Sequence, residues 1–179
     1  RFLTQATFGG TKGEIDALTG RSLSDLNAWI TTQLSQPATS HDTATDADFN
    51  TFSKPFGTTT LSQSNRQAAW WNVSVTAPDQ LRQRMAFALS QIFVVSENNA
   101  VMINLPSALA SYYDLLAKNA FGNFRTLLEA VTLSPSMGIY LSHLRNGKAT
   151  FNAQGVQTTF PDENYAREVM QLFSIGIAQ

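Results

Sequence analysis

The sequence predicts an all-α protein, an irregular bundle of many helices joined by long loops. Apolar residues recur at three- and four-residue spacing through most of the chain. Capping residues precede several of these segments, and four prolines stand where a helix would begin. The chain has 179 residues, of which 43% are apolar, and this is enough for one domain with a full core.

The first third of the chain predicts a helical hairpin followed by a long loop. Residues 1–8 form a short helical turn that ends at a glycine pair. Thr11 with Glu14, and Ser22 with Asp25, have capping-box spacing and open the next two helices. In residues 36–60 the apolar periodicity disappears, which indicates a long surface loop.

His41 lies in this predicted loop among three carboxylates, Asp42, Asp46 and Asp48. One interpretation is a metal site, and the other is a solvated polar loop. The second is favoured because no ligand spacing recurs.

The middle of the chain predicts the centre of the bundle. Residues 61–75 form a helix, and residues 78–95 form another that is apolar nearly all round. Arg82 and Arg84 stand in the first turns of the second helix. They either reach solvent from the helix end or serve as counter-charges for a buried acid.

Three further helices are predicted from Pro106, Asn123 and Pro135. His143 lies near the end of the third and is interpreted as a capping or surface group, with a catalytic role as the alternative. Residues 145–159 form a loop that one small β-hairpin, pairing 150–152 with 156–158, crosses.

The last helix, from Pro161, concentrates ionisable residues in an apolar segment. Glu163 and Arg167 fall on its polar face, whereas Glu168 lies at the border of the apolar arc. We expect Glu168 to be buried and to pair with Arg82 or Arg84, preferably Arg84, because a buried carboxylate needs a partner. Loss of one member of such a pair costs about 3–5 kcal/mol.

Composition excludes several functions. The net charge is −1 without a basic run, which argues against nucleic acid as a partner. The chain has no cysteine, and no stretch is long and apolar enough to span a bilayer. Nucleophile elbows, phosphate-binding glycine loops and zinc-protease motifs are missing, so neither a cofactor nor a metal is predicted.

Three stretches carry a family resemblance: RFLTQATFG at residues 1–9, LRQRMAFALSQIFVVS at 81–96 and PDENYAREVMQLFSIG at 161–176. They resemble the bacterial family known as domain of unknown function 1800. The resemblance implies a helical, often exported protein, frequently encoded beside a sulfatase-like companion. Residues 1–179 are then expected to be the amino-terminal part of a single larger domain.

Some relatives carry histidine and tryptophan where this chain has Ala88, Leu89 and Ser90. The family has no established activity, so no catalytic residue is carried over.

Two functions remain open at this point. The favoured one is a structural or interaction module in which Arg82, Arg84 and Glu168 form a buried ion network. The alternative is a hydrolase-like enzyme that uses Glu163 and Glu168 as acid and base and Arg167 to bind substrate. A metal site formed by the two glutamates with His143 is a third, weaker option.

Overall fold

The computed structural model describes residues 1–176 and has a mostly α-helical fold, which confirms the predicted class. Its helices are α1 Phe2–Ala6, α2 Lys12–Leu18, α3 Leu23–Ser35, α4 His41–Asp48, α5 Gln63–Thr76, α6 Gln80–Ser90, α7 Pro106–Lys118, α8 Phe124–Thr132, α9 Pro135–Tyr140 and α10 Asn164–Met170. Short 3-10 turns lie at Lys54–Phe56 and Met102–Asn104, and π-helical turns at Phe49–Ser53 and Gln171–Ile175. None of the helices in this part of the chain is long and apolar enough to cross a membrane.

Both predicted capping boxes are present. The Glu14 amide donates to Thr11 Oγ1 at 3.3 Å, and Glu14 Oε2 accepts from the Thr11 amide at 2.7 Å. Ser22 and Asp25 repeat this arrangement at the start of α3. These pairs satisfy amides that a helix N-terminus leaves without partners, so local sequence alone defines both starts.

The loop predicted for residues 36–60 is wrong in its centre, because α4 lies there. Ser40 caps this helix by accepting a hydrogen bond from the Thr43 amide at 3.1 Å. The helix packs against α5 and α7 and buries His41 and Thr45, one turn apart. Its buried face is therefore polar, and apolar periodicity does not reveal it.

Helices α6 and α7 occupy the centre of the fold. α6 contacts α1, α3, α5 and α7, while α7 also contacts α4, α8 and α9. α6 is shorter than the predicted 78–95, because the chain turns after Ser90 and brings Phe93 into the core. The buried core cluster comprises Ala86, Phe93, Tyr112, Leu116, Ala117, Leu127, Val131, Met137, Tyr165 and Phe173.

A small hairpin crosses the loop before α10, as the sequence predicts. Strands β1 Thr150–Phe151 and β2 Gln157–Thr159 pair antiparallel. Two reciprocal hydrogen bonds join the ends of this excursion: Asn146 Nδ2 donates to the Asp162 carbonyl at 2.6 Å, and the Asp162 amide donates to Asn146 Oδ1 at 2.9 Å. The segment that contains the hairpin therefore begins and ends at neighbouring points of the fold.

Helix α10 reaches the core through two aromatic side chains. Tyr165 is buried and shares a hydrogen bond of 2.6 Å with Thr132 of α8, while Phe173 packs on Phe93 with ring centroids 5.0 Å apart. The π-helical turn after α10 thus meets the turn that follows α6, whereas the expected pairing of Glu168 with Arg82 or Arg84 requires packing along α6. Three apolar side chains of the same segment are exposed: Met170, Leu172 and Ile175.

Candidate functional site

Glu163 and Arg167 pair with each other on the surface. Arg167 Nη2 lies 2.5 Å from Glu163 Oε1, one turn away, and the two side chains are 51% and 78% exposed. This agrees with their predicted place on the polar face of the helix. An exposed ion pair of this kind contributes little to stability, about 0–1 kcal/mol.

Glu168 is partly buried, and its Oε2 has no hydrogen-bond partner in the described residues. The expected ion pair with Arg82 or Arg84 is not formed there. The reason is the position of α10. It meets Phe93 beyond the end of α6, whereas the two arginines stand in the first half of that helix, which has 11 residues and is about 16 Å long.

The two arginines of α6 have other environments. Arg82 donates to the carbonyls of Ala117 at 3.1 Å and Gln36 at 3.0 Å, and its guanidinium lies 4.6 Å from the ring centre of Phe121. Arg84 lies over the rings of Phe8 and Phe87, at 5.6 and 5.3 Å. Arg82 therefore joins three parts of the chain, and Arg84 stands in an aromatic cluster.

His143 contacts residues of α8 and α10. Its Nε2 lies 3.0 Å from the carbonyl oxygen of Thr132, which can only accept, so Nε2 carries the proton. The ring stacks on Tyr165 with a centroid distance of 4.0 Å, and the buried Nδ1 has no hydrogen-bond partner in the described residues. These contacts hold α10 against α8.

A pocket of about 550 Å³ lies elsewhere, between α5, α6, α7 and residues 91–97. We call it the aromatic pocket, because its lining includes the rings of Trp70, Trp71, Phe87, Phe93, Tyr112 and Tyr113. Its charged lining residues, Arg66 and Glu97, form an ion pair with each other, and Gln67 donates to Glu97 at 2.7 Å. The pocket is in the size range of small-molecule sites.

A second pocket of about 460 Å³ adjoins the first. We call it the Arg84 pocket; it shares Trp70, Trp71 and Phe87 with the aromatic pocket and adds Arg84, Phe8 and residues of the amino-terminal turn. A third, of about 270 Å³, lies among α1, α2 and α3. None of the residues proposed as catalytic, Glu163, Arg167, Glu168 and His143, lines any of these three pockets.

A buried polar network lies where α4 meets α6 and α7. Asp79, fully buried, accepts from the Thr39 amide at 3.0 Å, Thr39 Oγ1 at 2.6 Å and Gln83 Nε2 at 2.9 Å. Gln83 Oε1 in turn meets His41 Nε2 at 2.8 Å. We call this group, together with Asp114, the α4 junction.

Asp114 of α7 completes the junction by capping α4. Its carboxylate accepts from Ser40 Oγ at 2.7 Å and from the amides of His41 at 2.5 Å and Asp42 at 3.2 Å. Sequence reasoning missed the junction. The signal that could have revealed it is Ser40 three residues before Thr43, a helix-capping spacing inside a stretch without apolar periodicity.

Burial shifts several pKa values in these regions, among them those of His41 and Tyr113. The pKa of His41 is lowered, chiefly because its side chain is buried, 2% exposed. Burial likewise raises the pKa of Tyr113, whose ring lies 4.5 Å from that of His41, to about 12. Both side chains are therefore neutral at pH 7.

The interpretation of His41 as part of a solvated loop is wrong, because the side chain is buried under α4. The neighbouring carboxylates have separate tasks; Asp48, for example, accepts from Asn65 Nδ2 at 2.8 Å. Within residues 1–176, no group of three or more histidine, aspartate or glutamate side chains is placed to hold a metal ion.

Comparison with known proteins gives a family and no closer relative. No curated protein matches this chain, and no solved structure does. The sequence model of one family, described as a protein of unknown function (DUF1800), matches residues 1–179. This match contains all three stretches that carry the resemblance, at residues 1–9, 81–96 and 161–176, and the chain belongs to the DUF1800 family.

Proposed function

We propose that this chain is a helical binding module without catalytic chemistry of its own, and that the aromatic pocket is its binding site. One observation carries the proposal: the pocket is lined by aromatic and neutral polar side chains, while its charges, Arg66 and Glu97, are paired with each other. Sites that bind small ligands have this composition, apolar walls with a few polar groups that orient the ligand. Acid–base catalysis instead needs a group that exchanges a proton near pH 7, whereas Glu97 is paired with Arg66 and burial raises the pKa of Tyr113 to about 12.

The rings of the pocket are arranged to receive a flat or apolar group. Trp70 and Trp71 meet edge to face at 5.0 Å, and Trp70 lies 6.1 Å from Tyr113. Trp71 is 64% exposed, a large apolar surface that a ligand would remove from water. Binding would therefore be driven by burial of aromatic area.

Nuclear magnetic resonance of the tryptophan side chains tests this proposal. The chain has three tryptophans, and Trp29 of α3 stands outside the pocket, packed on Phe2 at 5.1 Å. Titration with the neutral probe phenylacetamide should shift the indole N–H signals of Trp70 and Trp71 and leave that of Trp29 in place. Absence of any shift, or equal shifts of all three, would contradict a site in this pocket.

We further propose that the module belongs to an exported protein, is the amino-terminal part of a larger domain, and acts beside a sulfatase-like companion. Export and the companion rest on the family resemblance. The larger domain is also supported by the exposed apolar side chains of the last segment, Met170, Leu172 and Ile175. Co-purification with the companion, and loss of hydrophobic-dye binding when residues 1–179 are extended to the full reading frame, would test these points.

The hydrolase-like alternative is favoured by a different observation. Glu168 Oε2 and His143 Nδ1 are both buried without hydrogen-bond partners in the described residues, and a group of this kind calls for an explanation, of which a catalytic role is one. Tyr165 stacks on His143 and precedes Glu168 by three residues in the same helix. Hydrolytic activity that both Glu163→Gln and Glu168→Gln abolish would establish the alternative with Glu163 and Glu168 as acid and base. Activity that only Glu168→Gln abolishes would establish a hydrolase in which Glu168 acts without Glu163.

A further inference from the structure

Arg84 differs from the other arginine of its helix, because it has no polar partner in the part of the chain that the structure describes. Two guanidinium nitrogens of Arg82 donate hydrogen bonds to backbone carbonyls. Within residues 1–176, Arg84 makes neither an ion pair nor a side-chain hydrogen bond, although it is only partly exposed. A guanidinium group carries five N–H donors in a planar fork, so this side chain presents its full donor set.

The aromatic rings around Arg84 hold the guanidinium in place. Phe8 and Phe87, which pack against each other at 5.7 Å, both lie within 5.6 Å of its central carbon. Attraction between a cation and these ring faces orients the side chain without neutralising its charge. Phe8 is itself fixed, because buried Thr7 donates to the Leu3 carbonyl at 2.7 Å and accepts from the Gly9 amide at 3.0 Å.

The pocket around Arg84 has a single charge. Its lining consists of Arg84, four aromatic residues, two threonines and one glycine, with no acidic side chain. A pre-oriented guanidinium in apolar surroundings favours a planar anion, because the fork matches the two oxygens of a carboxylate. One guanidinium suits one carboxylate.

The other lining residues of the Arg84 pocket indicate the rest of the ligand. Trp70, Trp71 and Phe87 line this pocket as well as the aromatic pocket, so a ligand held at Arg84 lies beside rings that both pockets share. We propose that Arg84 binds the carboxylate of a ligand whose ring stacks on Trp71, so that the molecule takes aryl carboxylates or peptide ends of that kind. This inference rests on the proposed binding function and adds the charge of its ligand.

Two matched probes test the inference in the full chain, phenylacetate and the neutral phenylacetamide, with affinity followed by the indole N–H signals of Trp70 and Trp71. We expect phenylacetate to bind about tenfold more tightly or better, a typical margin for a charge-assisted pair. Arg84→Gln should remove this margin, because the charge that pairs with the carboxylate is lost. Arg84→Lys should retain part of it, because the charge remains and the fork is lost.

Controls separate this inference from the proposed function and from misfolding. An unchanged Trp29 signal and an unchanged circular dichroism spectrum show that Arg84→Gln is folded. Equal affinity for both probes, or a margin that survives Arg84→Gln, overturns the inference while the binding module stands. No binding of either probe overturns both.

The same titration with other probes distinguishes a carboxylate from a phosphate, and a peptide end from a free aryl acid. Tighter binding of phenyl phosphate than of phenylacetate would overturn the carboxylate assignment. A short peptide ending in phenylalanine, compared with its amidated form, distinguishes a peptide end from a free aryl acid. Both sources should show the same dependence on Arg84.

Discussion

The α4 junction and helix α10 differ in how their polar side chains find partners. The junction joins side chains that lie far apart in sequence, such as Thr39 with Asp79 and Ser40 with Asp114, and most of its buried polar groups have partners. At α10, Glu163 and Arg167 pair one turn apart in solvent, and Glu168 Oε2 has no hydrogen-bond partner among residues 1–176. The polar groups that stabilise this fold are thus not the ones concentrated in its most charged segment.

The two regions differ in how much stability is lost when one of their polar groups is removed. A buried acceptor with several donors cannot be removed without leaving those donors unpaired, which costs about 1–3 kcal/mol each. An exposed ion pair exchanges its partner for water at almost no cost. Substitutions in the two regions should therefore separate clearly.

The largest effect is expected for Asp79→Ala in the junction. The change leaves the Thr39 amide and the Thr39 hydroxyl without their acceptor and removes one of the two acceptors of Gln83 Nε2. We expect a loss of about 3 kcal/mol, seen as a melting temperature lower by about 6–12 °C in calorimetry. Asp16→Ala, which removes an exposed ion pair with Lys12, is the matched control. Equal melting of the two variants would show that the junction does not stabilise the fold.

A smaller loss, about 1–2 kcal/mol, is expected for Asp114→Ala, because it removes the external cap of α4. Hydrogen exchange should report the change locally, with faster exchange of the α4 amides and unaltered exchange in α2. Lys118→Ala, one turn along the same helix, is the control. If α4 exchange were as slow in Asp114→Ala as in the parent, Ser40 alone would suffice as the cap.

The junction should also make stability depend on pH. Burial lowers the pKa of folded His41 from 6.5, the nearby Asp79 and Asp114 oppose this shift, and Arg66 adds to it. The unfolded chain then binds a proton at higher pH than the folded chain. This contribution to stability is fully present above about pH 6.5 and is lost as pH falls through 6.5 towards the folded pKa.

Urea denaturation between pH 5 and pH 8 measures this slope. Stability should decline below about pH 6.5 in the parent protein, and the decline should be weaker in His41→Gln. Above pH 7.5 the two proteins should show parallel, flat curves. Identical slopes in the acidic range would assign the pH dependence to another group.

The smallest effects are expected in α10. Glu163→Gln should change the free energy of unfolding by less than about 1 kcal/mol, since its ion pair is exposed. Glu168→Gln should do the same, and not cost the 3–5 kcal/mol of a broken buried pair, because no cation is left unpaired. A loss of 3 kcal/mol or more in Glu168→Gln, measured by chemical denaturation, would restore a structural role for this carboxylate.

Sequence reasoning succeeded where the signal is local. The capping boxes at Thr11 and Ser22, the exposed polar face that carries Glu163 and Arg167, and the hairpin before α10 depend on residues that are close in sequence. Each could be predicted because its geometry is a property of the segment itself.

It failed where burial depends on a distant partner. α6 buries Gln80 and Gln83 rather than only its apolar arc, because α4 and the end of α5 supply hydrogen-bond partners. The position of α10 was likewise misjudged, since its apolar stripe is compatible with packing on several helices. The aromatic pocket was missed for the same reason: Trp70 and Trp71 are adjacent in the sequence, but Phe87 and Tyr113 join them only in the folded chain.

The reciprocal hydrogen bonds between Asn146 and Asp162 also bear on how this protein can be modified. Because they fasten both ends of the hairpin to each other, the length of chain between them can vary while the ends keep their separation. Doubling such a segment costs only about 0.6 kcal/mol in closure entropy. The tip near Gly155, which is exposed, is therefore a natural place for inserting an affinity tag or a fluorescent reporter, and for length differences among relatives.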